Sequence, residues 1–222
     1  MKPRPTLLTE AQLLTSGHRM VAGMDEVGRG ALAGPVCVGV VVVTSATSEP
    51  PEGLADSKLL EAGERSALIA PLQKWAHDWS LGWASAAEID SEGLVAALRM
   101  AGLRALEGLR EPPLAVVLDG RHDWLTVPAD LFSPQEADYA VHMQIKADQT
   151  CASVAAASVL AKVARDQAMV RLAKLHPEYG WTANKGYGTR RHAEALSRFG
   201  PSTEHRRTWA LPTTQDGPDV RG

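Results

Sequence analysis

GMDEVGRGALAGPVCVGVVVV, Gly23 to Val43, sets two adjacent carboxylates, Asp25 and Glu26, between an apolar stretch and a glycine-rich loop. Beyond the loop, Val36–Val43 is apolar throughout and mostly β-branched, the pattern of a strand with both sheet faces covered. Met20–Met24 reads as a strand leading in, so that Asp25 ends it. Two negative charges beside the best candidate for buried core require a chemical reason.

Outward from this stretch, strands are predicted at Trp79–Trp83, over PPLAVVLDG and at Tyr139–Ile145. Helices are predicted over Glu61–Ala76, kinked or shortened by Pro71, over Ile89–Leu109, over the alanine-rich Cys151–Leu175 and over Arg190–Phe199. HPEYGWTANKGYGT reads as a loop. Residues 1–17 form an N-terminal arm with Thr9 capping a short helix, 18–211 the main domain, and 212–222 a tail predicted to be disordered. Adjacent strands, then alternating helices and strands, then helices alone fit an α/β domain: a mixed five-stranded central sheet flanked by helices, with a helical C-terminal cap.

The chain has 222 residues, a length that suits one such domain. At 45% hydrophobic and 22% charged it can bury a core. No apolar run approaches the ~20 residues a membrane span needs, and the N-terminus lacks the apolar core of a signal peptide. Cys37 and Cys151 are too few for a disulfide framework or a four-cysteine zinc site, so a reduced, cytoplasmic protein without membrane attachment is expected. Net charge is −3, but Cys151–Ala210 holds ten basic residues against four acidic ones. A chain so lopsided either offers one face to a polyanion or carries a basic helical face in solvent, and charge alone favours neither.

Three acidic residues share one setting. Asp25 and Asp119 end predicted strands, and Asp148 lies between a strand and the long helix. Sites in α/β sheets gather at such carboxyl ends. Alternation sends Asp25 and Glu26 to opposite faces unless the pleat ends there, as Gly28-Arg29-Gly30 allows. Four clustered carboxylates repel one another unless cations sit among them. Oxygen-only ligands favour Mg²⁺ or Mn²⁺ over zinc, and a pair of such ions suits phosphodiester hydrolysis.

GMDEVGRGALAGPV, LADSKLL, EIDSEGL, VVLDG, KADQTCASVAAASVLAKVARD, NKGYGT and GPSTEHRRTW, in this order, resemble the motifs of type 2 ribonucleases H, the ribonuclease HII family, from about Met20 to Trp209. The resemblance implies a ribonuclease H-like fold. It also implies endonucleolytic cleavage of RNA in RNA–DNA hybrids and at single ribonucleotides in duplex DNA, leaving 5′-phosphate and 3′-hydroxyl ends. It places the catalytic metal carboxylates at Asp25, Glu26, Asp119 and Asp148, with two Mn²⁺ or Mg²⁺ ions as cofactors. Gly28, Arg29 and Gly30 match the loop that reads the RNA–DNA junction, and Tyr187 matches the tyrosine working with it. Lys58, Lys185 and Arg190, with Arg191, suit phosphate contacts. No clamp-docking motif is evident, and a monomer is expected.

Some readings stay structural. Ala155–Ser158 is a narrow face for close packing on the sheet, and Lys162 and Asp166 pair at i,i+4. His192 and His205 are assigned structural or phosphate-contact roles. Cys151, at a helix start, is expected to have a lowered pKa but is given no function. Departures from the family pattern fall at Leu59, Glu61, Gly93 and Gly188, none of them a proposed metal ligand. Two alternatives remain: a DNA-cutting nuclease or resolvase of the same fold, and an inactive hybrid-binding module.

Overall fold

The computed structural model describes residues 4–126 and 139–212. The predicted tail past Pro212 lies outside them. One sheet, in the order β3-β2-β1-β4-β5, contains β1 (Val21–Val27), β2 (Val36–Val43), β3 (Asp78–Ala84), β4 (Ala115–Asp119) and β5 (Ala140–Gln144). β1, β2 and β3 pair antiparallel, whereas β1–β4 and β4–β5 are parallel. The helices are α1 (Leu8–Thr15), α2 (Ala62–Trp75), α3 (Ala86–Glu92), α4 (Leu94–Glu107), α5 (Ala147–Thr150), α6 (Ala152–Leu175), α7 (Trp181–Asn184) and α8 (Arg190–Phe199). The mixed, helix-flanked sheet and the C-terminal helices match the sequence reading. No helix among the described residues is long and apolar enough to cross a membrane.

Strand alternation divides the core. Met24, Val38 and Val40 face Leu98 and Ala101 of α4. Val21 and Val41 face the other way, against Val154 and Ala155 of α6. The α6 helix sits unusually close to the sheet. A Cβ on Gly23 would lie 2.3 Å from Ser153 Oγ, and one on Gly39 would lie 2.4 Å from the Ala157 carbonyl. The small-residue face predicted at Ala155–Ser158 therefore meets Gly39 through Ala157, while Gly23 packs one turn earlier on Ser153 and Val154.

Several element predictions need correction. The helix expected over Ile89–Leu109 is two helices, because Gly93 takes a φ of 81° and closes α3 before α4 begins. Pro71 does not break α2; it is exposed, as is Ala67, whose carbonyl loses its helical partner there. The loop read over HPEYGWTANKGYGT contains a 3₁₀ turn, Pro177–Tyr179, and the short α7. Thr9 lies inside α1 rather than capping it, and its hydroxyl donates to Gln144 Oε1 at 3.2 Å. The N-terminal segment docks through Glu10, which is fully buried and accepts from Ser153 N–H at 2.9 Å and Ser153 Oγ–H at 2.7 Å.

Candidate active site

Asp25 does not end β1, as the sequence reading had it. The β1–β2 ladder runs on through Asp25↔Gly39 and Glu26↔Val38 to Val27↔Cys37. On the other side, the parallel β1–β4 ladder stops at Met24↔Leu118, while β4 continues beside β5 to Asp119↔Gln144. Past Met24 the sheet therefore parts, opening a cleft between β1 and the end of β4. Asp25 and Glu26 keep their strand alternation yet both line this cleft, with Asp119 opposite, in a cavity of about 440 Å³. The parting of the strands, rather than an end to the pleat, resolves the geometric objection.

Asp148 reaches the same neighbourhood from α5. Lys146 takes a left-handed φ of 58° and turns the chain into that helix. Ala147 N–H then donates to Asp119 Oδ1 at 2.7 Å, tying the segment before Asp148 to the carboxylate at the end of β4. Asp148 is buried, and its Oδ2 accepts from Lys58 Nζ at 3.1 Å.

The electrostatics are those of crowded carboxyls. Burial pushes Asp25 up to about 8, with repulsion from Glu26 and Asp119 adding to it. Burial likewise raises Glu26, despite its bond with Arg29, and raises Asp119, with Asp148 adding repulsion. Lys58 moves up, since pairing with Asp148 outweighs the effect of burial. Glu26 Oε2 is buried with no hydrogen-bond partner, while Oε1 accepts from Arg29 Nη1 at 3.3 Å. This is an all-oxygen donor set with an unmet demand for positive charge, which suits hard divalent cations. Among the described residues no three Asp, Glu, His or Cys side chains yet converge as a ready ligand set. Asp148 is turned to Lys58, Glu26 to Arg29 and Asp119 to a backbone N–H.

The glycine loop divides its labour. Gly28 has a φ of 93°, and a Cβ there would lie 2.0 Å from Arg165 Nε, so both conformation and space exclude a side chain. A Cβ on Gly30 would have nothing within 4 Å, so the backbone there is open to the cavity. Tyr187 lines the same cavity, and so do Arg29 and Lys58. Lys185 and Arg190 do not. The Lys185 ammonium donates to the Thr182 carbonyl and borders a separate cavity between α2 and α6. Arg190 is exposed and pairs with Glu194 at 2.8 Å.

Sequence reasoning missed Ser57, Ser158 and the cavity-facing part of Lys162, which also pairs with Asp166 at 2.7 Å as predicted. It also missed two buried arginines, Arg165 and Arg206. One signal was available: Ser158, Lys162 and Arg165 recur at helical spacing along α6, continuing a polar stripe out of its alanine-rich first half. Cys151 corrects another expectation, because burial raises rather than lowers its pKa. His192 and His205 are buried and structural. His205 Nδ1 accepts from Ser202 N–H at 2.9 Å, which leaves Nε2–H to donate to His192 Nε2 at 3.0 Å. The His192 Nδ1–H then donates to the Tyr187 carbonyl at 3.0 Å.

A sequence profile of the family described as Ribonuclease HII matches residues 22–211, nearly the whole chain. The chain belongs to the ribonuclease HII family. It is 47% identical over 207 residues to the ribonuclease HII of Streptomyces avermitilis, covering 93% of this chain and 84% of that one. The Paracoccus denitrificans ribonuclease HII is 45% identical over 206 residues, with 93% and 92% covered. Among solved structures, the ribonuclease H2 of Pyrococcus horikoshii superposes with a TM-score of 0.67 at 27% identity, covering 87% of this chain and 95% of that one. As a member of this family, the protein is a metal-dependent endoribonuclease with ribonuclease H activity on RNA–DNA hybrids, on a ribonuclease H-like fold.

Proposed function

We propose that the cleft between β1 and β4 cleaves the RNA strand of hybrids and also cuts at single ribonucleotides embedded in duplex DNA, leaving 5′-phosphate and 3′-hydroxyl ends. The observation that carries this reading is one cavity joining crowded carboxylates to an open glycine and an aromatic ring. Asp25, Glu26, Asp119 and Asp148 would hold the divalent cations. Two Mg²⁺ or Mn²⁺ ions, when bound there, supply water activation and charge stabilisation for phosphodiester hydrolysis.

The remaining work falls to the chain. Asp25, rooted in a strand paired with β2, holds its carboxyl at a fixed height in the cleft. Asp119, at the end of β4, faces Asp25 and Glu26 from the opposite wall, and Asp148, on α5 just beyond β5, completes the set from behind it. Lys58 and Arg29, paired here with Asp148 and Glu26, line the same cavity and would meet the phosphates of the substrate backbone. At Gly30 the backbone approaches the ribose, where the 2′-hydroxyl distinguishes RNA from DNA. The Tyr187 ring packs against the next sugar and tolerates a deoxyribose there. Lys185 and Arg190 contact phosphates outside the cleft.

One assay tests the reading: duplex DNA carrying one ribonucleotide, an RNA–DNA hybrid and an all-DNA duplex, each with Mg²⁺ or Mn²⁺. Cutting beside the ribonucleotide and along the hybrid, with the all-DNA duplex intact, is the expected result. Equal cutting of all-DNA duplex would favour a resolvase-like nuclease, and binding without cutting an inactive hybrid-binding module.

A further inference from the structure

Beneath the two substrate-facing loops lies a fully buried guanidinium. Arg165, on α6, has no exposed surface. Its Nε–H donates to the Pro35 carbonyl at 2.8 Å and Nη2 to the Ala33 carbonyl at 3.3 Å, both in the segment that follows Gly28. Its Nη1 donates to the Lys185 carbonyl at 3.0 Å, two residues before Tyr187. The guanidinium carbon stands 5.3 Å from the centroid of the Tyr187 ring, a cation–π contact. Nε also occupies the space a Gly28 side chain would need. A single rigid fork thus touches Gly28, the loop behind it, the Lys185 turn and the Tyr187 ring.

Burying this charge is costly: desolvation pulls the pKa of Arg165 down. A structural bond between the loops does not require it, since Leu32 N–H already donates to the Gly186 carbonyl at 2.8 Å. That backbone link lies well past Gly28 and leaves the Tyr187 ring unsupported. Arg206, the other buried guanidinium, holds the Gly28 and Arg29 carbonyls from Nη2 at 2.6 Å and Nη1 at 2.7 Å, but its ring contact is with Trp209; Arg165 is the one whose guanidinium lies against both Gly28 and the Tyr187 ring. The planar geometry of its donors fixes their separation in a way the single ammonium of lysine does not.

Resting on the activity proposed above, we infer that Arg165 is a positioning residue that couples the Gly28–Gly30 loop to Tyr187. The ribose-facing backbone and the deoxyribose-facing ring then act as one reader of the RNA–DNA step. Arg165 touches no substrate and acts through the groups it supports. Continuous hybrid offers ribose at every step and depends less on this coupling than a lone ribonucleotide does.

The test compares kcat and KM on the single-ribonucleotide duplex and on the hybrid for wild type, Arg165→Lys, Arg165→Ala, Tyr187→Ala and the Arg165→Ala/Tyr187→Ala double variant. Wild-type cutting at the lone ribonucleotide establishes the underlying reading; its failure to cut there refutes that reading, whatever the variants do. Given that cutting, Arg165→Lys and Arg165→Ala should lower kcat/KM for the single ribonucleotide by about tenfold more than for the hybrid, within the roughly hundredfold that a misplacement of about 1 Å can cost. The double variant should lose no more preference than Tyr187→Ala alone. Ethylguanidinium, but not ethylammonium at equal ionic strength, should partly restore the preference of Arg165→Ala. Equal losses on both substrates, multiplying losses in the double variant, or full preference in Arg165→Lys would each overturn the inference. Should Arg165→Ala fail to fold, Arg165→Lys carries the same comparison, alone and with Tyr187→Ala.

Discussion

Asp25 shows how far a single buried carboxyl departs from solution behaviour. Burial and two acidic neighbours disfavour its charge, so an amide of the same shape should be tolerated structurally while removing the anion that cations need. Asp25→Asn is expected to lower turnover by about a thousandfold, in the range for loss of a key electrostatic group, while the melting temperature holds or rises in a thermal scan. Lys58 supplies the opposite case. It now neutralises Asp148, so Lys58→Met should lower the melting temperature without metal and enlarge the stabilisation gained on adding Mn²⁺. A thermal-shift titration reads both effects. The meeting of Asp25, Glu26 and Asp119 in one cavity was legible because each lies in a short motif at the end of an apolar run. The places of Lys185 and Arg190 were not: a basic residue near a motif says nothing about where a long, flexible side chain points, and both turn to local partners.

At the scale of elements, the His192–His205 pair fastens α8 and the segment before Trp209 to the turn carrying Tyr187. Burial, then the nearby charges of His192, His176 and Arg207, lowers His205 to about 4, and burial lowers His192 as well. Tyr179 and Trp181 pack on the same rings. The unfolded chain takes up protons near 6.5 while the folded pair resists them, so this contribution is complete above about pH 6.5 and is lost as pH falls toward about 4. Because the raised Asp25 works in the opposite sense, the readout is a difference: the melting-temperature advantage of wild type over His205→Gln should shrink as pH falls from about 7.5 to about 4.5. Strand and helix positions were readable from apolar periodicity in β2, β4 and α6. The break at Gly93 was not, because α3 and α4 continue one apolar pattern and only the positive φ separates them. Nor could the parting of β1 from β4 be read, since a ladder's last rung depends on both strands together.

Over the whole molecule, the excess of basic residues in Cys151–Ala210 falls on a segment of which α6 and Tyr187 line the cleft. The excess of acidic residues elsewhere keeps the net charge slightly negative, so attraction to a polyanion is local rather than global. Binding to hybrid should weaken linearly with the logarithm of salt concentration. Arg29→Ala should reduce that slope by about one if the side chain meets one phosphate, as measured by fluorescence anisotropy in Ca²⁺. An unchanged slope would remove Arg29 from the phosphate track. Charge segregation was visible in the sequence, but which cations face the cleft depends on the fold.

Gly28 and Gly30, two residues apart, have different scope for variation. Gly28 is locked by its neighbours, and any alternative there disturbs the scaffold. Gly30 borders open space, so an added methyl group would alter the mouth of the cleft and leave the framework as it is. Attempts to retune which sugars the enzyme accepts should begin at residue 30: Gly30→Ala is expected to keep the wild-type melting temperature while reducing cleavage at a lone ribonucleotide.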